Sequence, residues 1–220
     1  MAKIYSFGNG KGGCGKSTSS TNFAASLAMR GNRVLLIDGD DLQGTASDFI
    51  SLNNLEFPNN EDQTKLLDAV KLREVDIRRA VSKYDSEYDY IVIDTQPHID
   101  KGLADIVAVT DVFVFTMLCS DADVWACRRI MQVLNDNDDI SKRILLCSDI
   151  TSSTLYDETC ELIQLAFDQY DIKPIKILNN RTSTRVSYRR ALGAGVPVTF
   201  YGDDKATTEI ELITSELLEA

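Results

Sequence analysis

The 220-residue sequence predicts an α/β fold, a doubly wound and mostly parallel sheet with helices on both faces. Three observations predict it. A β-prone run, Ile4-Tyr5-Ser6-Phe7, leads through a glycine-rich loop into a segment from Ser19 to Arg30 that carries Phe23, Ala24, Leu27 and Ala28 at helical spacing. Two apolar runs, Arg33-Val34-Leu35-Leu36-Ile37-Asp38 and Tyr88-Asp89-Tyr90-Ile91-Val92-Ile93-Asp94, each end in an acid, as suits parallel strands buried on both faces. Strand-like and helix-like stretches then alternate to the end, which implies right-handed βαβ units.

The loop Gly10-Lys11-Gly12-Gly13-Cys14-Gly15-Lys16-Ser17-Thr18 fits the phosphate-binding pattern G-x-x-x-x-G-K-[ST]. Glycines let successive N–H groups turn toward an anion, and the following helix adds its positive N-terminus. Lys16 is expected to reach the β- and γ-phosphates, and the Ser17 hydroxyl to sit on Mg²⁺. Gly31 and Asn32 read as the stop of the first helix. The acids that follow the second strand, in Asp38-Gly39-Asp40-Asp41-Leu42-Gln43-Gly44, lie at a strand's carboxyl end, where ligands bind in such sheets.

Residues 51–65 are polar and rich in asparagine, a surface excursion. A helix is expected over Leu66 to Val81. Strands are expected at Val112 to Thr116, Ile144 to Cys147 and Ile175 to Leu178. Helices are expected at Val124 to Leu134, Tyr156 to Phe167 and Val186 to Leu192, the last stopped by Gly193-Ala194-Gly195. A final helix is expected over Thr207 to Glu219. With no internal repeat, residues 1–220 read as a single domain.

Composition narrows the class. No apolar run approaches the length that spans a bilayer, and the N-terminus lacks the apolar core of a signal peptide, so a cytoplasmic location is expected. The five cysteines include no C-x-x-C pair, and their odd count suits a reducing compartment. With His98 the only histidine, a His/Cys zinc site is improbable; His98 itself reads as a solvated loop residue. Cys14 reads as a small neutral filler, and Trp125 as part of an apolar helical stripe with Val124, Ile130 and Val133. The net charge of −11 argues against a protein that is basic all over but leaves room for a local basic patch.

Lys11 is the second notable loop residue. The run from Lys11 to Thr18 resembles the deviant Walker A box, K-G-G-x-G-K-[ST]-[ST], of the ParA/MinD family. The resemblance implies a P-loop ATPase with ATP and Mg²⁺ as cofactors and weak intrinsic hydrolysis. It implies that Lys11, Gly12, Gly13, Cys14, Gly15, Lys16, Ser17 and Thr18 cradle the nucleotide, that Ser17 and Asp94 hold the metal, and that Asp38 and Asp40 match the acidic pair that orients water. Lys11 would cross to the nucleotide of a second subunit, giving an ATP-dependent homodimer. Two departures stand out. Asp40-Asp41-Leu42-Gln43-Gly44 replaces a common D-P-Q-G continuation, which leaves the role of Asp41 open. Gln96, in Asp94-Thr95-Gln96-Pro97, stands where the family often has proline.

From Ile172 to Gly202 there is no acid, yet Lys173, Lys176, Arg181, Arg185, Arg189 and Arg190 fall there, among Asn179, Asn180, Thr182, Ser183, Thr184 and Ser187. Two readings stand. Arg181, Arg185, Arg189 and Arg190 form a DNA-binding face, with Arg185 and Arg189 one turn apart if a helix begins there; or the stretch pairs with acids elsewhere. The family resemblance favours a ParA-type ATPase that binds DNA non-specifically, is stimulated by a ParB-like adaptor, and partitions plasmids or chromosomes, associating with the nucleoid when ATP-bound. The alternatives are a MinD-like membrane positioner and a positioner of a protein assembly. An acidic C-terminal segment argues against a membrane, and the cysteine spacings give no support to an iron–sulfur reductase.

Overall fold

The structure, a computed structural model, describes residues 1–39, 66–97, 101–135, 137, 139–147 and 153–219. Among these, seven strands form one sheet: β1 (Lys3–Gly8), β2 (Val34–Asp38), β3 (Leu67–Lys71), β4 (Tyr90–Asp94), β5 (Val112–Met117), β6 (Ser141–Leu146) and β7 (Lys176–Ile177). Their order is β3-β2-β4-β1-β5-β6-β7, and every pairing is parallel. β2, β4 and β5 are the continuous apolar runs of the sequence, and nearly every residue in them is buried.

The helices are α1 (Lys16–Met29), α2 (Glu74–Tyr84), α3 (Lys101–Val107), α4 (Asp121–Asn135), α5 (Ser153–Tyr170), α6 (Val186–Gly193) and α7 (Asp204–Leu218). Alternate residues of each strand face opposite layers. Tyr5, Phe7, Leu36, Val92, Val114 and Leu145 pack on one face with α1 and α7. On the other, Phe113, Phe115 and Ile144 meet α4 and α5, while Leu35, Ile37, Ile91 and Ile93 meet α2 and α3. Helix α1 is buried along most of its length, and Ala24, Ala25 and Ala28 let it lie close against the sheet. At its C-terminus Gly31 adopts φ 86°, the left-handed geometry of a helix stop.

One expectation needs correction, and one helix was not expected. Leu67–Lys71 is a parallel edge strand on β2, and the helix starts only at Glu74. Leu66 and Val70 are four apart, as on a helix, while only Leu67 of the strand is fully buried and Asp68 and Lys71 interrupt its apolar run, which dilutes the β signature. Helix α3, seven residues long with Gly102 at its second position, was not expected from the sequence. Of the other expectations, the excursion at 51–65 lies outside the described residues.

Candidate functional site

The carboxyl ends of β1, β2, β4 and β5 converge on the glycine loop. β1 ends at Gly8, where an added Cβ would lie 2.4 Å from Cζ of buried Phe113, so only glycine lets the chain leave the sheet there. Gly13 and Gly15 take φ 76° and 90°, which L side chains rarely adopt. An added Cβ on Gly12 or Gly13 would meet nothing within 4 Å, so the loop's outer side is open. Helix α1 then opens with no side-chain cap and no acid in its first turn, and with Lys16 at its first position. A helix N-terminus furnished with a cation rather than a carboxylate is suited to an external anion.

Asn9, fully buried and not singled out from the sequence, fixes the loop's start. Its amide donates to the Thr116 carbonyl of β5 at 2.6 Å, and its Oδ1 accepts the Lys11 N–H at 2.9 Å. Lys16, 7% exposed, donates from Nζ to the Lys11 carbonyl at 3.1 Å. Cys14 is buried, its thiol donating to the same carbonyl at 3.2 Å, which agrees with a filler. Ser17 and Thr18 are half-buried on the first turn, where their carbonyls accept back-bonds from Ser20, Thr21 and Asn22. Lys11 projects its side chain toward α4, where Nζ meets Asp123 Oδ2 at 3.1 Å.

Asp38 and Asp94 end β2 and β4 as register partners, both essentially fully buried. Gly39 follows, its N–H donating to the Asp94 carbonyl at 2.9 Å, and an added Cβ would lie 3.0 Å from that oxygen. Gln96 has a physical role at the family's proline position: its N–H donates to Glu74 at 3.3 Å and its side-chain amide to the Gly39 carbonyl at 2.7 Å. A proline could make neither bond. Asp40, Asp41 and His98 lie outside the described residues.

These residues fit a Mg²⁺-nucleotide: an open cradle of backbone N–H groups, a lysine at the helix start, a hydroxyl beside it, and two buried carboxylates facing the same edge. Lys16 and the loop would hold the phosphates, and Ser17 with Asp94 the metal, which neutralises charge developing on the transferred phosphoryl group.

A family model described as the CobQ/CobB/MinD/ParA nucleotide binding domain matches residues 5–214. The chain belongs to that family. The ParA/MinD resemblance and the doubly wound parallel fold read from the sequence are both borne out, and with them an ATPase-type nucleotide site. Among curated relatives, the sporulation initiation inhibitor protein Soj of Bacillus subtilis is 28% identical over 61% of this chain, and the match spans 64% of Soj. The maintenance of carboxysome distribution protein A of Halothiobacillus neapolitanus is 24% identical over 96% of this chain and 94% of its own length. The septum site-determining protein MinD of Pyrococcus horikoshii, solved with Mg-ADP, superposes with a TM-score of 0.73 at 17% identity, covering 99% of this chain and 96% of that one.

The basic stretch is divided by the structure of this ParA/MinD-family chain. Arg185 is the residue before α6, in extended conformation, so it does not share a helical face with Arg189. Its guanidinium forks onto Glu209 of α7, Nη2 at 2.7 Å and Nε at 3.1 Å, and Glu209 also accepts from Ser183 and Tyr188. Burial pushes the Glu209 carboxyl up, but the bonds from Arg185, Ser183 and Tyr188 outweigh it and hold it below the usual carboxylate range. Glu216 likewise accepts from the backbone and side chains of Asn179 and Asn180, and Asp203 accepts from Ser187 at 2.6 Å. Arg181 lies over the Tyr156 ring at 4.7 Å. The pairing reading therefore holds for Arg185, while Arg189 and Arg190 are exposed on α6. Trp125 is no part of the buried stripe: it is half-exposed, edge-on to Tyr170 at 5.6 Å.

Proposed function

We propose that this chain hydrolyses ATP weakly, pairs face to face with a second copy when ATP is bound, and in that state positions a cargo along DNA that it holds without sequence preference. Lys11 carries the reading. It is a second loop lysine, its side chain is 43% exposed at the carboxyl edge of the sheet, and the loop's outer side is open. A cation there can reach a nucleotide presented by a facing subunit. Asp38 and Asp40 would orient the attacking water, and a ParB-like adaptor would stimulate turnover.

Arg189 and Arg190, both exposed, support DNA as the matrix, with Arg185 bracing the start of the helix they stand on. In a chain of net charge −11, one such patch binds weakly, and two brought together by dimerisation act by multivalency. Among the described residues no helix is long and apolar enough to cross a membrane. The apolar side of α7 is spent on the core through Ala206, Ile210, Ile213 and Leu217, and Glu209, Glu211 and Glu216 make the helix acidic, which argues against a lipid-binding role for it. The near full-length match to a carboxysome distribution protein favours a protein assembly as an alternative cargo to a plasmid or chromosome.

The test is light scattering with ATP and a DNA-binding titration. Lys16→Ala should abolish ATP binding. Asp40→Ala should hold ATP, stay dimeric and hydrolyse slowly. Lys11→Gln should remain monomeric. Arg189→Ala with Arg190→Ala should dimerise normally yet lose affinity for all DNA sequences alike, with a flatter salt dependence. A monomer at saturating ATP, or a double arginine variant with unchanged salt slope, would refute the corresponding step.

A further inference from the structure

We infer that Gln96 is a positioning residue for hydrolysis, a clip that ties the exit of β2 to the exit of β4 and sets the direction in which the chain runs on to Asp40. The inference rests on the proposed role of Asp40 in orienting water.

The two exits lie side by side, because Asp38 and Asp94 are register partners on adjacent strands. The β4 side holds Gly39 at both of its polar groups. Its N–H donates to the Asp94 carbonyl at 2.9 Å, and its carbonyl accepts the Gln96 side-chain amide at 2.7 Å. A carbonyl only accepts, so the amide nitrogen must be the atom that faces it. That carbonyl is one half of the planar peptide bond to Asp40, so holding it sets the course of the chain beyond Gly39. The approach is close: a Cβ on Gly39 would lie 3.0 Å from the Asp94 carbonyl oxygen and 3.3 Å from Ile77 Cδ1.

Gln96 is itself anchored. Its N–H donates at 3.3 Å to Oε1 of Glu74, which is buried in the first turn of α2. The Thr95 N–H before it donates to the Phe7 carbonyl of β1 at 3.1 Å. Pro97 after it keeps the Gln96 backbone out of the helical region. A proline at position 96 would stiffen its own loop, whereas Gln96 joins two loops and a helix. The clip touches neither the glycine loop nor Lys16, which hold the phosphates. It therefore bears on the placement of the attacking water and not on nucleotide affinity, and a small misplacement costs rate without costing binding.

Gln96→Met keeps the length of the side chain and the N–H bond to Glu74 but removes the donor to Gly39. At saturating ATP and Mg²⁺, kcat should fall about three- to tenfold, the worth of one ordinary hydrogen bond. The dissociation constant for a non-hydrolysable ATP analogue should not change. On an Asp40→Ala background, Gln96→Met should slow single-turnover hydrolysis no further, because the clip acts through Asp40. A merely structural role would weaken analogue binding along with turnover, or slow both backgrounds equally. Either of those results, or a Gln96→Met kcat at or above wild type, overturns the inference. Should Gln96→Met not fold, Gln96→Ala, which also keeps the bond to Glu74, is read in the same way. Asp40→Ala turning over like the wild type would instead sink the proposed role of Asp40, and the clip with it. A slow Asp40→Ala beside an unaffected Gln96→Met would sink the clip alone.

Discussion

Arg185 and Arg189 looked equivalent in sequence, and a pair of substitutions should separate them. Arg185→Ala removes a two-pronged ion pair at 2.7 and 3.1 Å whose partners are only 25% and 15% exposed. Hydrogen bonds to charged groups are each worth about 1.5–3 kcal/mol. Because Ser183 and Tyr188 still satisfy Glu209, a loss of about 1.5–3 kcal/mol in total is expected, near the value of one such bond. At roughly 2–4 °C per kcal/mol for a domain of this size, the melting temperature should fall by about 3–12 °C. Glu209→Ala should cost more, because it also removes the acceptor of the Ser183 N–H and hydroxyl and leaves the Tyr188 hydroxyl only the Ala206 carbonyl. Arg189→Ala is exposed and should stay within about 0.5 kcal/mol of wild type. Urea unfolding followed by circular dichroism measures all three, and DNA binding at a temperature where each is folded completes the comparison. Arg185→Ala should retain DNA affinity and lose stability, and Arg189→Ala the reverse. Equal stability of the two variants, or a Glu209→Ala chain that binds DNA more tightly through a released Arg185, would refute the division of the basic stretch.

Three further outcomes follow from the geometry. Gly8→Ala should destabilise by about 1–3 kcal/mol, since its Cβ would sit 2.4 Å from a ring fixed in the core, and the urea midpoint reads this directly. Glu209 and Glu216 both titrate below the ordinary value of 4.5, so their contribution is fully present above it and is lost as pH falls through their lower folded values; the slope of stability against pH below about 4.5 should flatten in Glu209→Gln. Burial pushes the Cys147 thiol up to about 12, so iodoacetamide at pH 8 should leave Cys147 unmodified in the folded chain, while half-buried Cys119 and Cys160 react first.

What the sequence by itself determined is what depends on neighbours in the chain. The loop is legible because Gly13 and Gly15 must take positive φ, and because strand, glycine loop and helix follow one another without a gap. β2, β4 and β5 are legible because strands buried on both faces read as near-continuous apolar runs, polar only toward their carboxyl ends. β3 failed that test at the sheet's edge, where only Leu67 is fully buried.

Tertiary structure decided the rest, since no local spacing encodes which distant group a charge will meet. A helix was legible from Val124, but not that Asp123, in its first turn, carries Lys11 from 112 residues away. The acid-free run from Ile172 to Gly202 is visible as charge. Only the packing of α7 against it shows that Glu209 neutralises Arg185 while Arg189 and Arg190 remain in solvent. Burial makes that choice: a sheltered cation must find a partner, and an exposed one is left to water.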